Sequence, residues 1–350
     1  MTTVAIIGAG IGREHLAAYQ QLPELFEVVT LCDLDVARAK AVAGPCGVAV
    51  CSSLDAVLAS DVDLIDICLP PHLHLAACEK ALAAGKDVIC EKPLVASLAE
   101  ADRLIAAAEA SGRRVFPVFQ YRYGPGTAQL RAVLESGLVG KLYAGTIETH
   151  WNRDAAYYAV DWRGTWAGER GGAILGHAIH IHDYLPAFLG PVARVYAELA
   201  TRVNDIDVED CAALSLRMQS GAVLTSSVTL GGATDMTRMR LVFEGVTVET
   251  GLSPYAPAAH GWTFTARAPA TQAQLDAVLA TVGPEEVGFV GFFRAVAEAL
   301  AGDGARAVTL ADGRRSLEFV SAVYQSARTS LPVSLPLGPD FPLYGSWLPQ

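Results

Sequence analysis

VAIIGAGIGREH, residues Val4 to His15, sets an apolar run of strand length directly before a turn carrying three glycines. A strand that runs into such a turn and then into a helix can bring backbone N–H groups up to a phosphate, because glycine permits the tight turn and the helix start offers unsatisfied donors. A dinucleotide fingerprint spaces its glycines as G-x-G-x-x-G. Gly8 and Gly10 fit that spacing, and the third glycine arrives one residue early as Gly12, with Ile11 between.

Working outward, apolar runs of strand length recur at Val4 to Ile7, Val28 to Cys32, Leu64 to Leu69, Val88 to Cys90 and Val115 to Phe119. Helical periodicity fills Arg13 to Leu22, Val36 to Ala43, Leu73 to Ala84 and Leu98 to Ala110, with Ser97 and Glu100 forming a capping-box pattern. Gly85 and Gly112 stand where helix ends favour a left-handed residue. Alternating strands and helices predict a parallel α/β sheet with ligands at the carboxyl ends of its strands. Asp33, about 20 residues after the glycine turn, ends the second run, where a carboxylate accepts from ribose hydroxyls and repels a 2'-phosphate. NAD is therefore expected, in preference to NADP.

The whole chain has 350 residues, 52% of them hydrophobic, which suits two domains rather than one. A net charge of -11 and a pI near 5.2 argue against nucleic acid, whose binding calls for clustered Lys and Arg. The amino terminus has no basic stretch before its apolar run, and no segment has the length of a membrane span, so a soluble, cytoplasmic protein is expected. Seven cysteines, six before residue 91 and none in a C-x-x-C pair, suggest neither a disulfide framework nor a zinc ribbon.

Two further stretches end strands with residues that cannot continue a sheet. In ICLPPHLH, Pro70 and Pro71 stop the strand and His74 opens the next helix; in ICEKPL, Glu91 and Lys92 precede Pro93, whose peptide bond can be cis. A strand-tip lysine is suited to donating to a substrate oxygen.

The order of VAIIGAGIGREH, CDLD, ICLPPHLH, ICEKPL, VFQYRY and GGAILGHAIHIHD resembles the Gfo/Idh/MocA family of NAD(P)-dependent oxidoreductases, which includes glucose–fructose oxidoreductase and inositol dehydrogenase. The resemblance covers nearly the whole chain. It implies a Rossmann domain over 1–122 and an α+β domain over 123–350 with a large, mostly antiparallel open sheet, whose face pairs subunits into a homodimer or homotetramer. Strand-like stretches at Leu142 to Trp151, Val192 to Thr201, Cys211 to Met218, Ala222 to Leu230, Met239 to Phe243 and Trp262 to Ala266 agree with such a sheet. Leu310 to Ser330 reads as a last helix and the Pro-rich tail ending PLYGSWLP as a strap, helix and tail together (about 310–350) packing back on the body.

The second chemical stretch is ILGHAIHIHD, Ile174 to Asp183. On a regular helix His180 and Asp183 lie about 60° apart with Gly176 between them, His177 flanks His180 on the other side, and His182 points nearly opposite, so the three histidines cannot share one metal. No metal is expected; His180, titrating near neutrality, suits taking a hydroxyl proton. The resembled family has D-x-x-x-H-x-x-D here. Lys92, His180 and Asp183 match its lysine, histidine and last aspartate, while Gly176 replaces the first aspartate.

The resemblance thus implies hydride transfer between NAD and a secondary alcohol or ketone of a sugar, glycoside or cyclitol, with Lys92 and His180 catalytic. Asp183, His177, Tyr121 and the loop residues Trp162 and Arg163 are expected at the substrate. Gly8, Gly10, Ile11, Gly12, Asp33, Pro70, His74, Glu91, Lys92, Gln120, Trp162 and Arg163 are expected at the cofactor. An NADPH-linked keto-sugar reductase and a non-catalytic NAD-binding sensor or assembly protein of the same fold are the alternatives.

Overall fold

A computed structural model describes residues 1–349, with the side chain at position 45 left aside. The chain forms two compact units, Met1–Phe119 with Phe289–Arg314, and Gln120–Gly288 with Arg315–Gln350.

In the first unit, β1 (Thr2–Ile7), β2 (Phe26–Cys32), β3 (Ala49–Cys51), β4 (Leu64–Ile67), β5 (Asp87–Cys90) and β6 (Val115–Pro117) make one sheet in the order β3-β2-β1-β4-β5-β6. Every pairing is parallel. Parallel sheets are covered on both faces, and here all of β4 and the last three residues of β5 are buried. The strand order reverses between β1 and β4, where the glycine turn lies; such a switch point is where doubly wound sheets bind ligands.

The structure adds β3 and the helix Leu54–Leu58, capped by Ser53, to the expected elements. A three-residue strand exposed at one end carries no periodicity to detect. By its contacts Phe289–Arg314 groups with Met1–Phe119 in the first unit. The helix Gly288–Leu300 supplies Phe293, which is fully buried, stacks on Tyr19 at 3.9 Å and meets the rings of His15 and Phe26 edge-on. Burial of that aromatic surface, not nearness in the chain, decides the assignment.

The second unit is built on eight strands: β7 (Leu142–Asn152), β8 (Val192–Ala200), β9 (Cys211–Met218), β10 (Val223–Thr229), β11 (Gly231–Phe243), β12 (Val246–Glu249), β13 (Thr263–Ala266) and β14 (Val333–Ser334). Their order is β13-β12-β11-β7-β10-β9-β8-β14, with only the β7–β10 pair parallel. Burial alternates strictly along β9 and β10: Leu214, Leu216, Leu224, Ser226 and Val228 face inward, and Ala213, Ser215, Thr225 and Ser227 face out. The helix carrying the histidines is buried against the inward face, with His182 Nε2 2.8 Å from Ser226 Oγ. The tail straps this unit through β14 and through Trp347, fully buried, whose indole N–H donates to Arg170 O at 2.6 Å. Residue 350, the last of the expected strap, lies outside the described residues.

Deleting the ring of Phe293 leaves a cavity that the surrounding aromatics fill only in part. Phe293→Ala is expected to lower stability by about 3–5 kcal/mol, read from urea unfolding. A midpoint unchanged from wild type would remove this helix from the first unit's core.

Candidate active site

Two sets of residues carry the chemistry, one in each unit. In the first, the chain leaves β1 at Gly8 with φ +106°, and a Cβ there would fall on the carbonyl of Cys68; a Cβ on Gly12 would lie 2.8 Å from Ile6 Cγ2. Only glycine permits this turn, and it opens a cradle at the start of the helix Gly12–Tyr19, beside Gly10 and the 40% exposed Ile11. These features fit a pyrophosphate. Asp33 ties the cradle to β2: its Oδ2 accepts from Ala9 N at 2.7 Å, its Oδ1 from Asp35 N at 2.8 Å, and Arg38 donates to both oxygens. Burial works against the carboxylate, yet Arg38 and the two backbone donors hold its pKa below the usual range. Asp33 is thus an anion at neutral pH, and Arg38 is a neighbour that the sequence did not suggest.

Lys92 follows β5 at the carboxyl end of the sheet, and the Lys92–Pro93 bond is cis. The backbone is held on both sides of it. Before it, Glu91 Oε2 accepts from Lys92 N at 3.0 Å and Glu91 Oε1 lies 3.0 Å from His15 Nε2. After it, Pro93 O lies 2.8 Å from His74 Nδ1, whose Nε2 is 2.8 Å from Leu69 O. His74 is fully buried, and burial lowers its pKa. Two carbonyls want two N–H donors and a neutral ring has one, but in either form both nitrogens face backbone. His74 therefore frames the loop through both ring nitrogens. Pro70 begins the turn Pro71–Leu73 on the same side of the sheet.

In the second unit the histidine stretch is not a regular helix throughout. Ile174–Ala178 form a π turn and Ile179–Phe188 an α-helix. The expected angles hold for His180, His182 and Asp183 but not for Gly176 and His177, since a π turn takes more residues per turn. Each histidine meets a different neighbour. His180 stacks on Tyr121 at 4.6 Å and 19°; His177 stands edge-on to Trp151 at 5.3 Å; His182 bonds Ser226 and packs on Phe319. Burial pulls the pKa of His182 down to about 3, so it is a neutral core residue. Around His177 lie Tyr157, with the Arg163 guanidinium 3.9 Å above its ring, and Arg153 over both Trp151 and Tyr157. Aromatic faces and guanidinium donors together suit a polyol.

Asp183 is committed to Arg122, whose Nε and Nη2 donate to its two oxygens at 2.7 and 2.6 Å, both side chains being nearly buried. Breaking such a pair costs about 3–5 kcal/mol. Tyr121 likewise spends its hydroxyl on Pro254 O, leaving its ring for His180. Gln120 Oε1 is buried without a hydrogen-bond partner among the described residues, as a ligand-facing amide would be. Trp162 O accepts from Thr165 Oγ1, and Trp166 is an anchor, bonded to Asp207 O.

One residue that sequence reasoning passed over holds the π turn. Glu209 accepts from Gly172 N, Ile174 N and Tyr324 Oη at 3.0–3.2 Å. Nothing in its local sequence marks it, since the partners are more than 30 residues away.

Comparison with known proteins agrees with these two units. Residues 2–119 match the family model described as the oxidoreductase family with an NAD-binding Rossmann fold, and 127–249 match the GFO/IDH/MocA C-terminal domain. The chain belongs to the Gfo/Idh/MocA family of oxidoreductases, and its first unit is that family's NAD-binding fold. The WlbA dehydrogenase from Bordetella pertussis, solved with NADH and UDP-GlcNAcA, is 28% identical, with a TM-score of 0.84 over 96% of this chain and 99% of that one. An uncharacterised oxidoreductase of Synechocystis is 28% identical over 65% of either chain, and an inositol 2-dehydrogenase of Saccharopolyspora erythraea is 32% identical over 39% of this chain and 41% of its own. The chain spans less than two thirds of the length of these curated relatives.

Burial pushes the Glu209 carboxyl up to about 7 against its three donors, from an ordinary 4.5. A native pKa above the unfolded one means stabilisation that is full below about pH 4.5 and lost as pH rises through about 7. Between about pH 5 and pH 8 the wild type is expected to lose up to about 3 kcal/mol more stability than Glu209→Gln, read from urea unfolding at both pH values. Equal losses would show that Glu209 is already ionised in the native protein.

Proposed function

We propose that this protein is an NAD-dependent oxidoreductase that acts on a secondary alcohol or ketone of a sugar, glycoside or cyclitol. The observation that carries the reading is Lys92: among the described residues it is the only lysine at the carboxyl end of the parallel strands, with its backbone pinned on both sides. NAD supplies the hydride acceptor, or in its reduced form the donor. Gly8, Gly10, Ile11 and Gly12 hold the pyrophosphate at the helix start, and Asp33 takes the ribose hydroxyls.

Lys92 donates to the substrate oxygen and steadies the charge that develops there. His180 accepts the hydroxyl proton in oxidation and returns it in reduction, its ring plane fixed by Tyr121. Asp183, with both oxygens on Arg122, serves the site by orienting that guanidinium. Trp162, Arg163 and His177 take the sugar, supported by Trp151 and Tyr157. The outward face of the second sheet, with Ala213, Ser215, Thr225 and Ser227 exposed, supports pairing with a second copy.

Gly176 bears on substrate size. A Cβ there would meet nothing within 4 Å, so this position offers room that an aspartate would occupy. The room favours a substrate bulkier than a free cyclitol, such as the UDP-GlcNAcA in the structure of the WlbA dehydrogenase.

The reading is tested with a panel of cyclitols, free sugars and nucleotide-linked sugars, following cofactor absorbance with NAD and NADP. Lys92→Ala is expected to cut turnover at least about 100-fold on the preferred substrate while NAD affinity changes little; near-normal turnover would take Lys92 out of the mechanism. Gly176→Asp is expected to lower turnover on the bulkiest substrate relative to the simplest one. Higher turnover on free inositol or glucose, with no loss on larger substrates, would sink the expanded pocket.

A further inference from the structure

The interior of the first unit holds a charged cluster that hydride transfer does not itself require. Asp66 is the one charged residue of β4, a strand whose four residues are all buried, and it is fully buried itself. Its Oδ2 lies 2.8 Å from His15 Nδ1 and its Oδ1 3.6 Å from Cys68 Sγ. The opposite nitrogen of the same imidazole lies 3.0 Å from Glu91 Oε1. Rings of Phe289 and Phe293 cover His15 at 4.6 and 5.3 Å, so the cluster is enclosed by apolar surface.

An imidazole set between two carboxylates satisfies both only when each nitrogen carries a proton. Burial opposes that charge, yet Asp66 holds the pKa of His15 well above its ordinary value. Glu91 is the other end of the link: burial disfavours its charge, but His15 keeps its pKa below the usual range. The carboxylate has two oxygens and two duties, Oε1 to His15 and Oε2 to the backbone N–H of Lys92. A charge-assisted chain therefore runs from the central strand of the sheet, through one side chain of the helix Gly12–Tyr19, to the amide of Lys92.

We propose that His15 is a positioning residue for Lys92, holding Glu91 so that the amide and, with it, the ammonium of Lys92 are set for the substrate oxygen. The proposal rests on the catalytic role assigned to Lys92 above. The same helix begins at the glycine cradle, so one rigid element carries both the pyrophosphate site and the tether of the lysine. Removing the tether leaves the cradle intact and frees the residue beyond it. The loss therefore falls on turnover and leaves cofactor affinity in place.

The lysines of the chain are Lys40, Lys80, Lys86, Lys92 and Lys141, few enough to follow singly by NMR after reductive methylation with carbon-13, with Lys92 assigned by the signal missing in Lys92→Arg. In His15→Gln the Lys92 signal and its titration midpoint are expected to move while the other four stay. The kcat on the best panel substrate is expected to fall about 10- to 100-fold with NAD affinity within about threefold of wild type. Glu91→Gln, which retains an acceptor for the Lys92 amide, is expected to keep more of the kcat than Glu91→Ala, and Glu91→Ala stands in should His15→Gln fail to fold.

An unmoved Lys92 signal in a folded His15→Gln or Glu91→Ala protein overturns the positioning role, whatever the activity. An active Lys92→Ala enzyme overturns the catalytic reading instead, and the signal still decides whether His15 places the lysine. A stoichiometric metal in the purified protein that is lost in His15→Gln would also overturn the proposal, because His15, Asp66 and Cys68 each present one ligand atom within 4.8 Å of the others.

Discussion

A carboxylate in the middle strand of a parallel sheet has to be answered, because both faces of the sheet are covered. Asp66 is such a group, and leaving it unpaired would cost several kcal/mol. The nearest answer is His15, one turn into the first helix, and its ring brings a second buried carboxylate with it. That requirement fixes how the helix lies on the sheet and gives the end of β5 a firm hold. The glycine turn depends on the same packing: Gly8 and Gly12 both press against Cys68 or Ile6, at the foot of the same helix. Cofactor cradle and strand-tip lysine are therefore two ends of one rigid arrangement.

The second unit solves a similar problem with different parts. Its central helix is largely apolar and lies on the inward face of the sheet, yet it carries two histidines and an aspartate. Each polar group is assigned a separate neighbour: Ser226 for His182, Tyr121 for His180, Arg122 for Asp183. The start of the stretch, where donors of the first turn would be orphaned, is held by Glu209. The π turn at Ile174–Ala178 lies next to this anchor, and its His177 meets Trp151 and Tyr157.

Much of this was legible in the chain. Apolar runs and glycine spacing mark the strands of the first sheet and the glycine turn, since local sterics and burial operate over a few residues. The two motifs around Lys92 and His180 are likewise local, and their resemblance to a known family agrees with the family models that match both halves. The cluster around His15 was half-visible: a lone aspartate inside the apolar run LIDICL calls for a buried partner, but nothing in the sequence names one 51 residues back.

By itself, the sequence determined the α/β character of the first half, the mainly antiparallel second sheet, the glycine turn and the chemical types gathered at the strand tips. Tertiary structure alone decided that Asp183 faces Arg122, that both nitrogens of His74 face backbone, that Glu209 caps the histidine stretch, that Arg38 joins Asp33, and that 289–314 packs with the first unit. Periodicity reports which face of an element is buried. It does not report which distant side chain meets a buried charge, because that choice is made by packing between elements brought together only when the chain folds.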